Sequence, residues 1–272
     1  MVAYRFEFHG LLQYDECVRR VAVIGVGVTT FGVFALIAQA HTAKYGTAEE
    51  QMAHVAVKNH RHGVLNPKAQ FRKEITLEQV LASPKIADPL KLYDCCPFSD
   101  GGAAVVVAAE EVAKRSRRPI WVLGSAAASD SMCLHDKKDL ARALATERAA
   151  QAAYRQAGLS PADVDVVELH DCFTIAEILA TEGLGFFEPG TGGIAAEKGW
   201  TSLGGKLPVN PSGGLKAKGH PIGATGAAQV AEIVTHLRRE AGPRQVDGAR
   251  IGLVHTLGGN TATALVSLLG CE

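Results

Sequence analysis

Residues 210–226 read NPSGGLKAKGHPIGATG, and the rest of the chain is interpreted outward from this stretch. It holds five glycines and two prolines around one histidine, His220. Glycine permits positive φ and proline stops helices, so the stretch is predicted to be a shaped loop. Residues 227–239 follow with apolar side chains at helical spacing. A glycine-rich loop that enters a helix can present a side chain and hold an oxyanion, although the same pattern also suits a plain structural turn.

The composition excludes several classes of protein. The chain has 272 residues, 47% of them hydrophobic and 21% charged, which is typical of a globular protein with a core of its own. Basic and acidic residues number 28 each, so no basic field for nucleic acid is expected. The six cysteines show no CxxC or Cys/His metal spacing. We therefore expect no metal site and a cytoplasmic location.

One apolar run resembles a membrane span. Residues 21–38 are uncharged and nearly long enough to cross a bilayer. Glycines and threonines interrupt the run in its middle, so a short strand followed by an amphipathic helix is the preferred interpretation. We expect no membrane association.

Strand-like and helix-like segments alternate along the chain, which predicts an α/β fold with mixed, largely parallel, buried sheets. The predicted strands are 18–27, 117–130, 163–169, 249–259 and 261–269, and the predicted helices are 34–45, 48–58, 77–81, 140–157, 175–184 and 227–239. Residues 101–115 are predicted to begin as a buried strand, 101–108, and to turn into a helix. The region between 59 and 102 is predicted to be mostly loop. A faint repeat is present, since a double arginine precedes both VAVIGVG and PIWVLGS. Such a repeat suggests two similar halves.

A second group of reactive side chains lies in residues 168–174, ELHDCFT. His170 and Cys172 follow a predicted strand directly and precede a helix, where α/β folds place their ligands. A cysteine in this turn can gain acidity from the helix dipole, or it can be a small buried residue beside a helix cap made by Asp171 or Thr174. His255 also lies near a strand end, before Gly258 and Gly259. Histidines and a thiol at several strand ends suit proton transfer and carbon–carbon chemistry on acyl thioesters.

Three motifs now carry a resemblance to a known family. HDCFTIAEILATEGLGF, NPSGGLKAKGHPIGATGAAQ and HTLGGN resemble the thiolase superfamily, specifically sterol-carrier-type and archaeal acetyl-CoA acetyltransferase-like thiolases. VAVKNHRHG, DPLKLYDCCPFSDGGAA and GSAAASD extend the resemblance over most of the chain. It implies a layered fold of two similar halves, a loop subdomain, and Claisen condensation or thiolysis of 3-oxoacyl-CoA. Coenzyme A thioesters would be the substrates, with no bound cofactor.

The resemblance also implies roles for individual residues. His220 would be the base that activates the nucleophile, His170 would contribute to an oxyanion hole, and Cys172 would be the acid and base at the α-carbon. His255 occupies the position where other thiolases carry a C-terminal cysteine. Further substrate contacts would come from His255 and from residues near it or near the coenzyme A groove, namely Gly219, Gly258, Gly259 and Ser125.

The chain departs from the family pattern between its first predicted strand and its first helix. The family has a long stretch there that includes the nucleophilic cysteine, whereas here Gly32 runs directly into Val33. None of the remaining cysteines matches the lost position. We therefore interpret 1–17 as an extension, 18–117 as a remnant of the N-terminal half with the loop subdomain at about 57–99, and 118–272 as the C-terminal half.

Three functions remain open at this level. The first is a thiolase-family acyltransferase with impaired activity, because an acyl-enzyme cannot form without a nucleophile. The second is a lyase that cleaves acyl-CoA side chains by a retro-aldol reaction beside an OB-fold partner. The third is a non-catalytic subunit. The expected assembly is a homo-oligomer or a hetero-complex with an OB-fold protein.

Overall fold

The computed structural model describes residues 30–271. The predicted extension at 1–17 and the predicted strand at 18–27 lie outside the described residues. The helices are α1 Thr30–Tyr45, α2 Glu49–Val64, α3 Leu77–Leu81, α4 Glu110–Ala113, α5 Leu144–Ala157, α6 Thr174–Gly183, α7 Gly192–Glu197, α8 Gly214–Ala217 and α9 Thr225–Leu237. The strands are β1 Lys85–Ala87, β2 Leu90–Lys91, β3 Trp121–Ser129, β4 Val166–Glu168, β5 Ile251–Gly258 and β6 Thr263–Gly270.

The main sheet has four strands in the order β3-β6-β5-β4. The α/β class and the mixed sheet are confirmed, but the expectation of a largely parallel sheet is wrong. Only β4 and β5 run parallel, whereas β6 is antiparallel to both β3 and β5. The reason is local: a short turn with positive φ at Gly259, Asn260 and Thr261 reverses the chain between β5 and β6.

Helices cover the sheet and bury its apolar side chains. Helix α5 packs on β3 and β6, and α9 packs on β4 and β5. Helix α6 is buried along its whole length, because apolar residues occupy most of its circumference rather than one stripe. Helix α1 lies against α6, and Phe34 stacks on Phe173 with ring centroids 4.5 Å apart. The end of β4 and the start of α6 are therefore anchored in the core.

Helix α2 is longer than predicted. The sequence suggested an end at Lys58, but the helix continues to Val64 because its last residues are buried rather than exposed. Gly63 makes this possible, since a Cβ there would lie 2.7 Å from the Cβ of Ala217. The additional helical residues include His60 and His62, and Nδ1 of His62 lies 3.0 Å from the carbonyl of Asn210, where the glycine-rich loop begins. Beyond it, the predicted loop region contains α3, as expected, and the two-stranded antiparallel hairpin β1–β2, which was not predicted.

The predicted strand at 101–108 is wrong. These residues form no strand, and Val106 and Val107 are among the most exposed apolar residues that the structure describes. A strand needs a neighbour to accept and donate its backbone hydrogen bonds. Within residues 30–271 no strand lies beside this segment.

The described residues, 30–271, contain no helix that is both long and apolar enough to cross a bilayer.

Candidate active site

The three predicted histidines lie together at one edge of the main sheet. His170 follows the end of β4, and His255 lies on the adjacent parallel strand β5, where Glu168 pairs with Val254. His220 comes from the glycine-rich loop before α9. The rings of His170 and His220 meet nearly at right angles, with centroids 5.0 Å apart. The structure therefore brings together the two histidine motifs that are 50 residues apart in sequence.

The hydrogen bonds of His220 determine which ring nitrogen is free. Its Nδ1 lies 2.7 Å from Oγ1 of Thr225, and that hydroxyl donates to the carbonyl of Pro221. The hydroxyl proton is thus already engaged, so Oγ1 accepts from an Nδ1–H of His220. Nε2 then carries the lone pair. Because burial and the nearby Lys218 lower the pKa of His220, the ring is neutral near pH 7 and Nε2 can accept a proton.

His170 and His255 are buried neutral imidazoles with unused capacity for hydrogen bonds. Burial, with the nearby His220 and His255, lowers the pKa of His170 to about 3. Burial alone lowers the pKa of His255 to about 3. Nε2 of His255 lies 3.0 Å from Oγ1 of Thr146. Nδ1 of each ring is buried and has no hydrogen-bond partner within residues 30–271. Buried polar atoms without partners mark a place where a ligand or water belongs.

Cys172 is a protonated thiol at the same edge. Burial, followed by the effect of nearby Cys96, raises the pKa of Cys172 well above its usual range. The expected gain in acidity from the helix dipole is outweighed, because desolvation disfavours the thiolate. The amide of Cys96 donates to the carbonyl of Cys172 at 2.9 Å, which places the two cysteines side by side.

Neither of the proposed helix caps is present. The residue that precedes α6 is Phe173, which makes no side-chain cap. Thr174 Oγ1 donates instead to Oδ1 of Asp94 at 2.7 Å. The Asp171 carboxylate accepts from the backbone amide of Leu215 at 2.7 Å. Asp171 therefore ties the HDCF segment to the glycine-rich loop rather than capping its own helix.

A buried polar network supports both loops from below. Asn59 Nδ2 donates to Asp171 at 2.8 Å and to Glu177 at 3.0 Å, and Lys58 forms an ion pair with Glu177 at 2.5 Å. Asn210, at a φ of 53°, donates to Glu177 and accepts from the amide of Leu169. Sequence analysis missed these residues. The sequence held no signal for them, because Lys58 and Asn59 lie among other polar residues at the predicted end of the helix.

Lys216 is a buried cation within this network. Its side chain is only 1% exposed, and Nζ has no hydrogen-bond partner in the part of the chain that the structure describes. Its positive charge lowers the pKa of Asp171 and of the thiols of Cys96 and Cys172. Burial still dominates, and the pKa of Cys96 is raised to about 12. Lys216 therefore offsets part of the cost of forming a thiolate here.

An open cavity of about 610 Å³ adjoins His220. Gly219, Thr225, Lys218, Phe98 and Gln70 contribute to its lining. Gly219 has a φ of 111°, and a Cβ there would lie 2.7 Å from Oγ of Ser99. The close approach of the loop to Ser99 thus explains this glycine. A cavity of this size beside a neutral imidazole can accept a small-molecule group.

The remaining predicted substrate contacts are distributed unevenly. Gly258 ends β5 three residues after His255, and Gly259 begins the turn after it against Met132. Ser125 lies on β3, two strands away from β5, and bonds to Ser267 Oγ at 2.9 Å. The structure gives Ser125 no contact with the three histidines.

One cluster in the described residues has metal-ligating atoms. Cys133, His135 and Asp136 place one ligand atom each within 4.8 Å of one another on an exposed loop after β3. None of these residues belongs to the histidine site.

Comparison with known proteins assigns this chain to a family. The family model "Thiolase, N-terminal domain" matches residues 12–111, and "Thiolase C-terminal domain-like" matches residues 126–271. The acetyl-CoA acetyltransferase of Methanothermobacter thermautotrophicus is 51% identical over 243 residues, covering 89% of this chain and 63% of that protein. Sterol carrier protein 2 of Oryctolagus cuniculus is 42% identical over 245 residues, covering 88% and 45%. The match thus spans less than two thirds of the length of either relative.

A solved structure supports the same assignment. The Ltp2-ChsH2(DUF35) aldolase matches with a TM-score of 0.81 and 27% identity, covering 96% of this chain and 69% of that one. The α/β fold agrees with the sequence resemblance. The chain belongs to the thiolase family.

Proposed function

We propose that this chain acts on the α-carbon of a coenzyme A thioester, as an acyltransferase of the thiolase type whose thiolysis is impaired. The observation that carries the proposal is the perpendicular contact of the neutral His170 and His220 rings beside the motif that bears Cys172. A neutral imidazole donates one N–H and accepts one proton, so the pair can stabilise an enolate oxygen and move a proton.

Each residue then has a separate task. His170 is assigned to donate an N–H to the thioester oxygen as it becomes negative. Cys172 is assigned to give its thiol proton to the enolate carbon. In the reverse direction His220 Nε2 is assigned to take that thiol proton first, and the Cys172 thiolate then removes a proton from the α-carbon. His220 Nε2 is assigned to accept a proton from the incoming nucleophile. Burial of His170 and Cys172 supports this division, because hydrogen bonds to developing charge are stronger where water is excluded.

The impaired step is formation of the acyl-enzyme. A thiol reacts as its thiolate, and burial raises the pKa of Cys95 to about 11 and of Cys96 to about 12. Neither thiol is therefore prepared to attack a thioester at neutral pH. Proton transfer at the α-carbon does not require an acyl-enzyme. We expect this partial reaction to survive when thiolysis is slow.

Proton exchange tests the proposal directly. Acetyl-CoA is incubated with the purified chain in D₂O, and loss of the methyl proton signal is followed by NMR. We expect exchange well above the rate without protein, with loss of that excess in Cys172→Ala and a reduction of about 10²–10³-fold in His170→Ala, the usual effect of removing an oxyanion donor. Cys133→Ala is the matched control, since its thiol is exposed and lies outside the HDCF segment.

Two results would contradict the proposal. Exchange that is no faster than in buffer, from a folded chain, would remove the assignment of an α-carbon acid. Acetoacetyl-CoA thiolysis at ordinary turnover by the purified chain would refute the proposed impairment.

Retro-aldol cleavage of a β-hydroxyacyl-CoA is a second candidate. The similarity to the Ltp2-ChsH2(DUF35) aldolase favours it, and the reaction needs no thiolate nucleophile. His220 Nε2 would take the hydroxyl proton, the carbon–carbon bond would break to an aldehyde and an enolate, and the thiol of Cys172 would protonate that enolate. Aldehyde trapping with and without a DUF35-type partner tests this. Failure to release aldehyde in either case would exclude it for the substrate used.

We also propose that this chain is part of an assembly. We expect a homo-oligomer or a complex with an OB-fold protein, supported by the exposed Val106 and Val107 and by the two-component name of the aldolase neighbour. Size-exclusion chromatography with light scattering measures the mass directly. A monodisperse monomer that binds no such partner would argue against this expectation.

A further inference from the structure

A second cavity lies at the opposite edge of the main sheet from the histidines. It has a volume of about 540 Å³. Ile120 and Arg250 precede β3 and β5, Cys271 follows β6, and Leu237 ends α9. His170, in contrast, follows the end of β4, which runs parallel to β5. The cavity is therefore separate from the candidate active site.

Arginine residues are the most frequent residues in its lining. Arg117, Arg118, Arg239 and Arg250 contribute to it, and none of the lining residues is acidic. These are four of only 28 basic residues in a chain of zero net charge. The concentration of like charge in one place is unfavourable for the protein alone, because each guanidinium repels the others.

The arginines differ in what they bind within the chain. Arg118 and Arg238 each donate to the other's backbone carbonyl, so both have a structural partner. The side chains of Arg117, Arg239 and Arg250 form no hydrogen bond or ion pair with any other residue in the range 30–271. Among the described residues, the guanidinium donors of these three cavity-lining arginines are thus unoccupied.

Arg239 occupies a backbone position where glycine would be less strained. It has a φ of 60° directly after the end of α9, and the amide of Glu240 closes the turn onto the carbonyl of Thr235. This is the helix-ending position at which glycine is strongly preferred, because a Cβ is unfavourable there. The strained position nevertheless carries a guanidinium that lines the cavity.

We propose that this cavity binds the oligophosphate group of a small molecule, of the class of nucleoside diphosphates. Guanidinium forks match phosphate oxygens in two-point hydrogen bonds, and several of them around one cavity suit two adjacent phosphates. Ile120, Leu237 and Ala249 add an apolar wall for the rest of the ligand. The volume lies within the range of ordinary small-molecule sites.

Calorimetric titration with inorganic pyrophosphate and with ADP tests the proposal on the full chain. We expect saturable binding of both, tighter for ADP if the apolar wall is used, and weaker as salt concentration rises. Arg250→Ala and Arg239→Gly should each weaken binding at least about tenfold, the loss of one charge-assisted contact. Arg155→Ala is the matched control, because Arg155 is exposed on α5 and does not line the cavity.

Arg239→Gly separates binding from folding. Glycine relieves the positive φ, so the melting temperature should stay equal or rise while affinity falls. Absence of saturable binding by the full chain would overturn the proposal. Equal weakening by Arg155→Ala would also overturn it, since attraction would then be general rather than local.

Discussion

His62 contacts the glycine-rich loop, and its buried ring offers a quantitative test of how burial makes the free energy of unfolding depend on pH. Its Nδ1 lies 3.0 Å from the carbonyl of Asn210, and its Nε2 accepts from the amide of Leu203 at 3.0 Å. Since a carbonyl can only accept, Nδ1 carries the proton and the neutral ring uses both nitrogens. A second proton on Nε2 would break the bond to Leu203. Burial, followed by the charge of Lys58, accordingly lowers the pKa of His62 to about 3.

The sign and size of the effect follow from this pKa. The unfolded chain protonates His62 near pH 6.5, whereas the folded chain does so only near pH 3. Stability from His62 is therefore complete above about pH 7.5 and falls as the pH decreases through 6.5. Between pH 7.5 and pH 5 the loss is about 2 kcal/mol. Replacing His62 with alanine removes this dependence and leaves two buried groups unpaired, at a cost of about 3 kcal/mol.

Urea unfolding of the wild type and of His62→Ala at both pH values measures the difference. We expect the variant to be less stable by about 3 kcal/mol at pH 7.5 but by only about 1 kcal/mol at pH 5. The other titrating groups cancel in this comparison. His54→Ala is the control on the same helix, because the half-buried His54 ring forms no hydrogen bond within the described part of the chain. A stability difference that is the same at both pH values would refute the reasoning.

Substitutions at three further positions test the loop that bears His220. Gly214→Ala should destabilise the fold by at least about 3 kcal/mol in urea unfolding, because φ is 60° and a Cβ would lie 2.7 Å from Cγ of the buried Asp171. Thr225→Val should lower the proton-exchange rate about tenfold or more without a comparable loss of stability, since Nδ1 of His220 loses its partner, and Thr225→Ser should restore the rate. Lys216→Met should slow alkylation of the neighbouring thiols, because loss of the positive charge raises their pKa and leaves less thiolate. The rate should fall about tenfold for each unit by which the pKa rises. An unchanged rate would contradict the assigned role of this cation.

Local patterns predicted most of the secondary structure. Helix α3 has the predicted bounds, α5 ends before Gly158 as its left-handed φ requires, and β3, β5 and β6 lie where alternating or apolar runs indicated. Each of these features depends on residues that are close in sequence. Helix α2 was predicted too short because its polar end, with His60 and His62, reads as exposed although tertiary contacts bury it.

The candidate site was predicted in its residue types but not in its support. His170, His220 and His255 were recognised from predicted strand-end positions and family motifs, and the structure brings these residues to one edge of the sheet, with His255 inside β5. Lys216 and Asn59 were missed, because a buried lysine or asparagine has the same sequence signature as an exposed one. Only partners distant in the chain, such as Asp171, show that these side chains are inside.

The sequence by itself determined the family, the α/β class and the glycine-rich loop that presents His220, because these depend on local backbone preferences and short motifs. Tertiary structure alone decided strand direction, the absence of a strand at 101–108, and the protonation states of the site. Strand formation requires a neighbouring strand, and a pKa depends on the water and charges that surrounding elements exclude or supply. Strand pairing and pKa values both depend on residues that are distant in sequence. The protonation state of His220 in the loop 210–226 is therefore decided by the surrounding fold.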